Sequence, residues 1–177
     1  NGKYTGKSKK ANAELIKMTD SVLRSQKISA SLTTTAQKKT ALQKLFNYSK
    51  KYGYMRMKGF DGKPLQFTKG KSQMFAYLTR GMEKGNCYGV ASAFAVQAKR
   101  ATGLPVRVCW GKSNVFNKNK WQPHGWTEIK IGNRWYIFDT NAAKYSTRKD
   151  VKWYMQNSSS ATMKKVYKKT AYEEILL

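Results

Sequence analysis

Apolar positions in the first third of the chain recur at helical spacing. Between residues 11 and 26 they lie at Leu15, Ile16, Met18, Val22 and Leu23, which fall on one side of a helix. Thr34 and Gln37 then form a capping-box pattern, and the residues after them again define one apolar face. This pattern predicts two amphipathic helices, the second of which ends at Gly53.

A small-residue helix is predicted in the middle of the chain. A polar loop over residues 55–71 and a short helix capped by Ser72 come first. The small-residue run begins at Cys87, directly after Asn86, and Gly103 closes it as glycine often closes helices. Such a dense run of small side chains indicates a helix that is buried against other elements.

The second half of the chain changes to the alternating pattern of strands. Residues 105–110, 124–131 and 134–139 are predicted strands, and the last two flank Gly132-Asn133, a typical two-residue hairpin turn. Helices followed by antiparallel strands predict an α+β fold. Beyond these strands we expect a helix near residues 149–156 and then a Lys-rich segment.

The composition is strongly basic. Of the 177 residues, 35 are Lys or Arg and nine are Asp or Glu, for a net charge of +26, and the basic residues are spread along the whole chain. Such a surface attracts polyanions, so a nucleic acid, an anionic cell wall or acidic protein substrates each fit, as does a merely solvated surface. No zinc-finger spacing or aromatic ribonucleoprotein motif is present, so no specific nucleic acid is predicted.

Metal and cofactor chemistry find little support in the residue types. The chain has two cysteines, Cys87 and Cys109, and one histidine, His124. These are too few ligands for a four-coordinate zinc site and too few cysteines for a disulfide framework. We therefore expect neither a metal nor a cofactor.

The cysteine at the predicted helix start has the position of a nucleophile. The partial positive charge at a helix N-terminus favours a thiolate, and the free backbone N–H groups there can stabilise an oxyanion. A cysteine before a helix is, taken alone, more often an inert packed residue. Cys87 becomes a candidate because a suitable histidine and aspartate follow it.

The predicted hairpin places His124 and Asp139 on one face of the sheet. If the turn has two residues, Ile131 pairs with Arg134, and Asp139 then lies opposite Trp126. His124, two residues from Trp126, becomes a diagonal neighbour of Asp139, about 7–8 Å away between Cα atoms. An aspartate there can fix the imidazole tautomer and leave the other nitrogen for a thiol.

Three sequence blocks resemble successive motifs of the transglutaminase-like superfamily. They are GNCYG at residues 85–89, HGWTE at 124–128 and RWYIFDT at 134–140, and the resemblance covers about residues 33–142. It implies a papain/transglutaminase-like core in which the cysteine helix packs on an antiparallel sheet. It also implies nucleophile, base and orienting roles for Cys87, His124 and Asp139. Gly125 stands where the family commonly has alanine, and the absence of an acidic cluster indicates no calcium requirement.

The implied reaction is acyl transfer at a peptide or carboxamide bond through a thioester. Protease, amidase and transglutaminase activities share the triad and stay open, and the alternative is a catalytically inactive basic module that binds cell-wall polyanion or nucleic acid. Trp126 and Trp121 are predicted to bind the substrate in an acyl groove. Tyr54 and Gln73 are the candidates for completing the oxyanion hole.

The domain prediction is a single domain over residues 1–177. Residues 1–10 are expected to be a flexible linker, residues 33–142 the core, and residues 143–177 a C-terminal helical extension. No stretch reaches the roughly 18 apolar residues of a membrane span. Because the chain begins at Asn1 and its basic residues are evenly spread, we expect a secreted or surface-exposed bacterial protein that acts on peptide or protein substrates and is held on an anionic cell-wall polymer.

Overall fold

The computed structural model describes Tyr4 and residues 12–177, which form helices and an antiparallel sheet. The helices are α1 Ala13–Ser25, α2 Thr35–Ser49, α3 Ser72–Met82, α4 Cys87–Thr102, α5 Thr140–Tyr145 and α6 Ala161–Lys164. The strands are β1 Gly53–Tyr54, β2 Lys84–Gly85, β3 Val106–Ser113, β4 Gln122–Ile131, β5 Arg134–Phe138, β6 Gln156–Asn157 and β7 Tyr167–Glu174. The predicted α+β class is confirmed.

The first helices begin where polar side chains cap them. Asn12 accepts from the amides of the first turn of α1, and Thr34 and Gln37 form the predicted capping box at α2. The predicted cap of α3 is wrong, because Ser72 is already the first helical residue and Lys71 precedes it. The Ser72 hydroxyl instead donates to Glu173 Oε2 at 2.6 Å, which ties α3 to the C-terminal strand.

Helix α4 is the buried centre of the fold. Nearly every side chain from Gly89 onward is buried, and Gly103 ends the helix with a φ of 66°, a conformation that favours glycine. Helices α1, α2 and α3 pack around it, and β3 and β4 cover another side. The small residues of α4 allow this close approach, as the sequence pattern indicated.

Five strands form the main sheet, in the order β6-β5-β4-β3-β7, and all the neighbouring pairs are antiparallel. Ile131 pairs with Arg134 and Thr127 with Phe138, so the predicted hairpin register is confirmed. Gly132 has a φ of 60°, as the first central residue of a type II′ turn requires. The two faces of the sheet carry separate apolar clusters, one shared with the helices and one formed with the C-terminal segment.

The predicted helical extension over residues 143–177 is wrong in its main part. No helix forms over residues 149–156, and β7 adds an eight-residue strand to the sheet beside β3. Most β7 side chains, such as those of Lys168, Lys169 and Thr170, are exposed because β7 is an edge strand. The alternation that marks a half-buried strand is therefore missing, and pairing with β3 decides the conformation.

The predicted flexible linker over residues 1–10 lies outside the described residues, apart from Tyr4. The Tyr4 side chain is buried. Among the helices of the described residues, none is both long and apolar enough to cross a bilayer. The boundaries of the domain and its core stay predictions.

Candidate active site

Cys87 is the first residue of α4, as the sequence predicted. The Asn86 side chain caps the helix by accepting from the Gly89 amide at 2.9 Å, and the Asn86 carbonyl accepts from the Val90 amide. The amides of Cys87 and Tyr88 lie outside this cap. They are the N–H groups of the first turn that can serve a developing oxyanion beside the sulfur.

His124 and Asp139 meet through a short hydrogen bond. His124 lies on β4, and Asp139 follows β5 directly and caps α5, where its Oδ1 accepts from the Ala142 amide at 2.8 Å. His124 Nε2 lies 2.7 Å from Asp139 Oδ2, and both side chains are buried. The hairpin register therefore brings the two predicted residues together on one face.

Cys87 and His124 line one cavity of about 500 Å³. Its other lining residues are Tyr54, Phe116, Gln122, Pro123, Asn141 and Tyr145, so no lining side chain carries a fixed charge. Within the described part of the chain, His124 Nδ1 has no hydrogen-bond partner. With Nε2 engaged by Asp139, Nδ1 is the nitrogen that remains for Cys87.

The environment of His124 favours its protonated form. Burial acts to lower the pKa of His124, but the Asp139 carboxylate and the neighbouring Cys87 together outweigh it and raise this pKa to about 10. The direction of this shift favours an imidazolium between the Asp139 carboxylate and Cys87. That charge state suits a thiolate–imidazolium pair, the resting form of an activated cysteine.

The predicted substrate-binding tryptophans are not at the cavity. Trp126 is fully buried in the apolar cluster between the sheet and the C-terminal segment, where its Nε1 donates to Glu128 Oε1 at 3.1 Å, so its side chain does not line the cavity. Trp121 is not among the lining residues, and Lys168 Nζ lies 4.2 Å from its ring centroid. Trp126 is two residues from His124 on β4, so strand alternation puts both side chains on the same face of the sheet, and there the C-terminal segment covers the tryptophan.

Of the two oxyanion candidates, the structure brings Tyr54 to the cavity. The parallel pairing of β1 with β2 puts Tyr54 beside Gly85, two residues before Cys87. Gln73 lies elsewhere, with its Nε2 directed to the Leu176 carbonyl at 3.5 Å.

Several residues at the site were missed by sequence reasoning. Gln122 precedes His124 by two residues on β4, a spacing that was available as a signal, and Asn141 follows Asp139 by two. The Asn141 Nδ2 is a buried donor with no partner among the described residues. Tyr167 on β7 donates its hydroxyl to Asp139 Oδ2 at 2.8 Å, and no local motif marked it.

Gly125 is required by the residue that follows the cysteine. A Cβ at Gly125 would lie 2.5 Å from Tyr88 Cδ1 and 3.3 Å from the Tyr88 Cα. The Tyr88 ring is itself held in a stack on Phe67, with centroids 4.9 Å apart. The close approach of α4 to β4 at the site therefore explains why glycine stands where the family commonly has alanine.

A cysteine at the start of a buried helix, beside an antiparallel sheet that carries a histidine–aspartate pair, defines the papain/transglutaminase class of fold. The chain belongs to the transglutaminase-like superfamily, whose model matches residues 24–140. This match confirms the family that the three sequence blocks indicated. It supports a cysteine-based enzyme at the level of the family.

Two solved structures are similar to the chain at low identity. One is a crystal structure of a TGase, with 17% identity and a TM-score of 0.46, and the match covers 89% of this chain and 39% of that one. The other is a proposed cysteine protease from Cytophaga hutchinsonii, with 16% identity and a TM-score of 0.41. That match covers 94% of this chain and 56% of the other protein. This chain thus spans less than two thirds of either protein. No curated protein matches it significantly.

Proposed function

We propose that the protein is a cysteine-nucleophile acyl-transfer enzyme that acts on peptide or carboxamide bonds through a thioester. The observation that carries the proposal is the shared cavity of Cys87 and His124, with the far imidazole nitrogen held by Asp139 at 2.7 Å. This is the nucleophile, base and orienting group of a catalytic triad.

In the acylation half-reaction, the Cys87 thiolate attacks the substrate carbonyl carbon. The carbonyl electrons move to oxygen, and the Cys87 and Tyr88 amides of the first helical turn stabilise the oxyanion. His124 then donates its proton from Nδ1 to the leaving nitrogen as the C–N bond breaks. The products are a free amine, or ammonia from a carboxamide, and a thioester on Cys87.

In the deacylation half-reaction, neutral His124 accepts a proton from the incoming nucleophile. Water gives hydrolysis and a primary amine gives a new amide, and in both cases the C–S bond breaks and the thiolate–imidazolium pair returns. Throughout the cycle Asp139 accepts from Nε2–H and so keeps Nδ1 directed to the reacting atoms. Both outcomes use the same residues.

The lining of the cavity favours a neutral acyl donor. Tyr54, Phe116 and Tyr145 supply aromatic surface, while Gln122 and Asn141 supply amide groups. Asn141 Nδ2, a buried donor without a partner among the described residues, is the candidate donor to a substrate carbonyl oxygen. An uncharged side-chain carboxamide or an uncharged stretch of peptide fits this lining better than an ionised group.

Loss of the nucleophile is the direct test. Cys87→Ala should abolish conversion of glutamine-containing peptides, scored by mass spectrometry as cleavage, as ammonia release, or as incorporation of an added primary amine. The melting temperature should stay nearly unchanged, because a small residue replaces another at the helix start. Cys109→Ala is the matched control, since Cys109 is buried on β3 and burial raises its pKa well above the ordinary value.

Alkylation tests the nucleophile without a substrate. Iodoacetamide near neutral pH should modify Cys87 much faster than Cys109, because Cys87 is half-buried beside an imidazolium while Cys109 is inaccessible. Full turnover in Cys87→Ala, or equal labelling of the two cysteines, would overturn the assignment.

A second proposal is favoured by the net charge of +26. A secreted or surface-exposed protein of this charge would be held on an anionic cell-wall polymer. If the protein is catalytically inactive, binding to this polymer would be its whole function. Exposed charges are screened over about 8–10 Å at physiological ionic strength. Binding to purified cell walls should therefore be lost at high salt, and salt-resistant binding to a defined nucleic-acid sequence would contradict it.

A further inference from the structure

Tyr167 contacts the candidate site from outside the part of the chain that matches the family. It is the first residue of β7, and its hydroxyl donates to Asp139 Oδ2 at 2.8 Å. The same oxygen accepts from His124 Nε2 at 2.7 Å, while Asp139 Oδ1 accepts from the Ala142 amide. Each oxygen of Asp139 is therefore engaged, and Oδ2 divides its negative charge between two donors.

The strand pairing fixes the position of the tyrosine. Tyr167 pairs with Ser113 on β3, which in turn pairs with Gln122 on β4. The register of the β3–β7 pairing shifts at Gly111. A larger residue does not fit there, because a Cβ would overlap the Lys168 carbonyl oxygen. The C-terminal segment thus reaches the site through the sheet.

Packing fixes the orientation of the ring. The Tyr167 ring contacts that of Trp126, with centroids 4.8 Å apart, and lies 6.5 Å from the imidazole of His124. Phenylalanine at this position would keep that packing and remove the hydroxyl alone.

We propose that Tyr167 is a positioning residue of the site, whose hydroxyl holds the Asp139 carboxylate and limits how strongly that carboxylate binds the proton of His124. This role rests on the proposed acyl-transfer function. Hydrogen bonds to an ionised carboxylate are strong and directional, so two of them on one oxygen restrict its rotation. The two donors, His124 Nε2–H and the Tyr167 hydroxyl, also share the negative charge of Asp139 Oδ2.

The charged and titratable neighbours support a hydroxyl that stays protonated. Burial raises the pKa of Tyr167 well above its ordinary value, Asp139 and Glu128 raise it further, and Arg148 acts the other way. His124 is faced by Asp139 and Cys87. Tyr167 therefore remains a donor over the whole pH range in which His124 titrates.

Removal of the hydroxyl has a defined sign. Without Tyr167 as a donor, more of the carboxylate charge acts on Nε2–H, so the imidazolium is stabilised and the pKa of His124 rises. Neutral His124, the base for deacylation, then becomes available only at higher pH. We expect the pH profile to move to alkaline values and kcat to fall about 10-fold at neutral pH, part of the roughly 10²–10⁴-fold that a positioned acid–base group contributes.

The experiment uses the only histidine of the chain. Long-range ¹H–¹⁵N spectra of the histidine-labelled protein report the tautomer and titration midpoint of His124 without any substrate. Tyr167→Phe should raise this midpoint while the Nε2–H tautomer stays the preferred neutral form. Tyr52→Phe is the matched control, because Tyr52 is equally buried and its hydroxyl accepts from Gln97 Nε2 at 2.9 Å away from the cavity.

The outcomes separate positioning from a merely structural role. An unchanged midpoint in Tyr167→Phe, together with a loss of melting temperature like that of Tyr52→Phe, would overturn the proposal. If Tyr167→Phe does not fold, the wild-type chain is made with 3-fluorotyrosine, a stronger donor, and the His124 midpoint should fall; no shift would again overturn it. A shifted midpoint in a protein that is found to lack acyl transfer would retain the positioning role and reject only the proposed function.

Discussion

Two buried carboxylates lie on the same sheet and have opposite surroundings. Glu128 accepts from the Arg107 guanidinium, from Lys169 Nζ at 3.0 Å and from Trp126 Nε1. Asp139 accepts from His124, from the Tyr167 hydroxyl and from the Ala142 amide. Both side chains are about 2% exposed or less. They differ in whether the cation beside them is permanent.

Permanent cations make Glu128 a structural group. Burial acts to raise the pKa of Glu128, but Lys169 and Arg107 outweigh it and lower this pKa. The Arg107 guanidinium is held between the rings of Trp135 and Tyr172, 3.9 and 4.6 Å from their centroids. Asp139 instead faces an imidazole that gains and loses its proton near the cavity. Under the proposed function, this titratable partner is what distinguishes Asp139 from Glu128.

The largest expected difference is in turnover. Asp139→Asn supplies one acceptor oxygen where the structure has donors on both sides, so its NH₂ group must face either the Ala142 amide or the His124 and Tyr167 donors. We expect a loss of about 10²–10⁴-fold in turnover of an amide that the wild type converts. Glu128→Gln should stay within a few-fold of the wild type. Equal losses in the two variants would remove the distinction.

The next expected difference is in stability, where the Glu128 ion pairs are the test. Glu128→Gln leaves Arg107 and Lys169 without their counter-charge and should lower the free energy of unfolding by about 3 kcal/mol, as for a broken buried ion pair. Lys169→Met should cost about 1 kcal/mol or less, because the Lys169 side chain is 32% exposed and solvent screens its charge. Urea denaturation at neutral pH measures both. If Glu128→Gln were as stable as Lys169→Met, loss of the carboxylate beside Arg107 would carry no extra cost, and the prediction would be contradicted.

The two carboxylate surroundings also differ in how stability depends on pH. The pKa of Glu128 is lowered on folding, so its contribution is present above the ordinary value of 4.5 and is lost as the pH falls through the lowered value. The pKa of His124 is raised, so its contribution is full below 6.5 and is lost as the pH rises toward about 10. Wild type and His124→Gln should therefore converge in unfolding free energy at alkaline pH. A difference that grows with pH would contradict the assigned direction.

Prediction from sequence succeeded where caps, turns and strand period within a few residues fix the structure. The helix at Cys87 follows from small residues between Asn86 and Gly103, and the hairpin register follows from the period of strands and a two-residue turn. Once the register was correct, Asp139 had to share a face with His124. The failures came where pairing or packing at a distance decides: Trp126 turned into the core, and β7 formed from an exposed, Lys-rich segment.

The sequence by itself determined the fold class, the family blocks and the order of cysteine, histidine and aspartate, because each depends on periodicity, turns and caps within a few residues. The tertiary structure alone decided the lining of the cavity and the second donor to Asp139. Tyr54 reaches the cavity through a parallel pairing of β1 and β2, and Tyr167 reaches Asp139 through β7 pairing with β3. Such contacts join residues far apart in the chain, and no local pattern encodes which of many buried or exposed tyrosines will meet a given carboxylate.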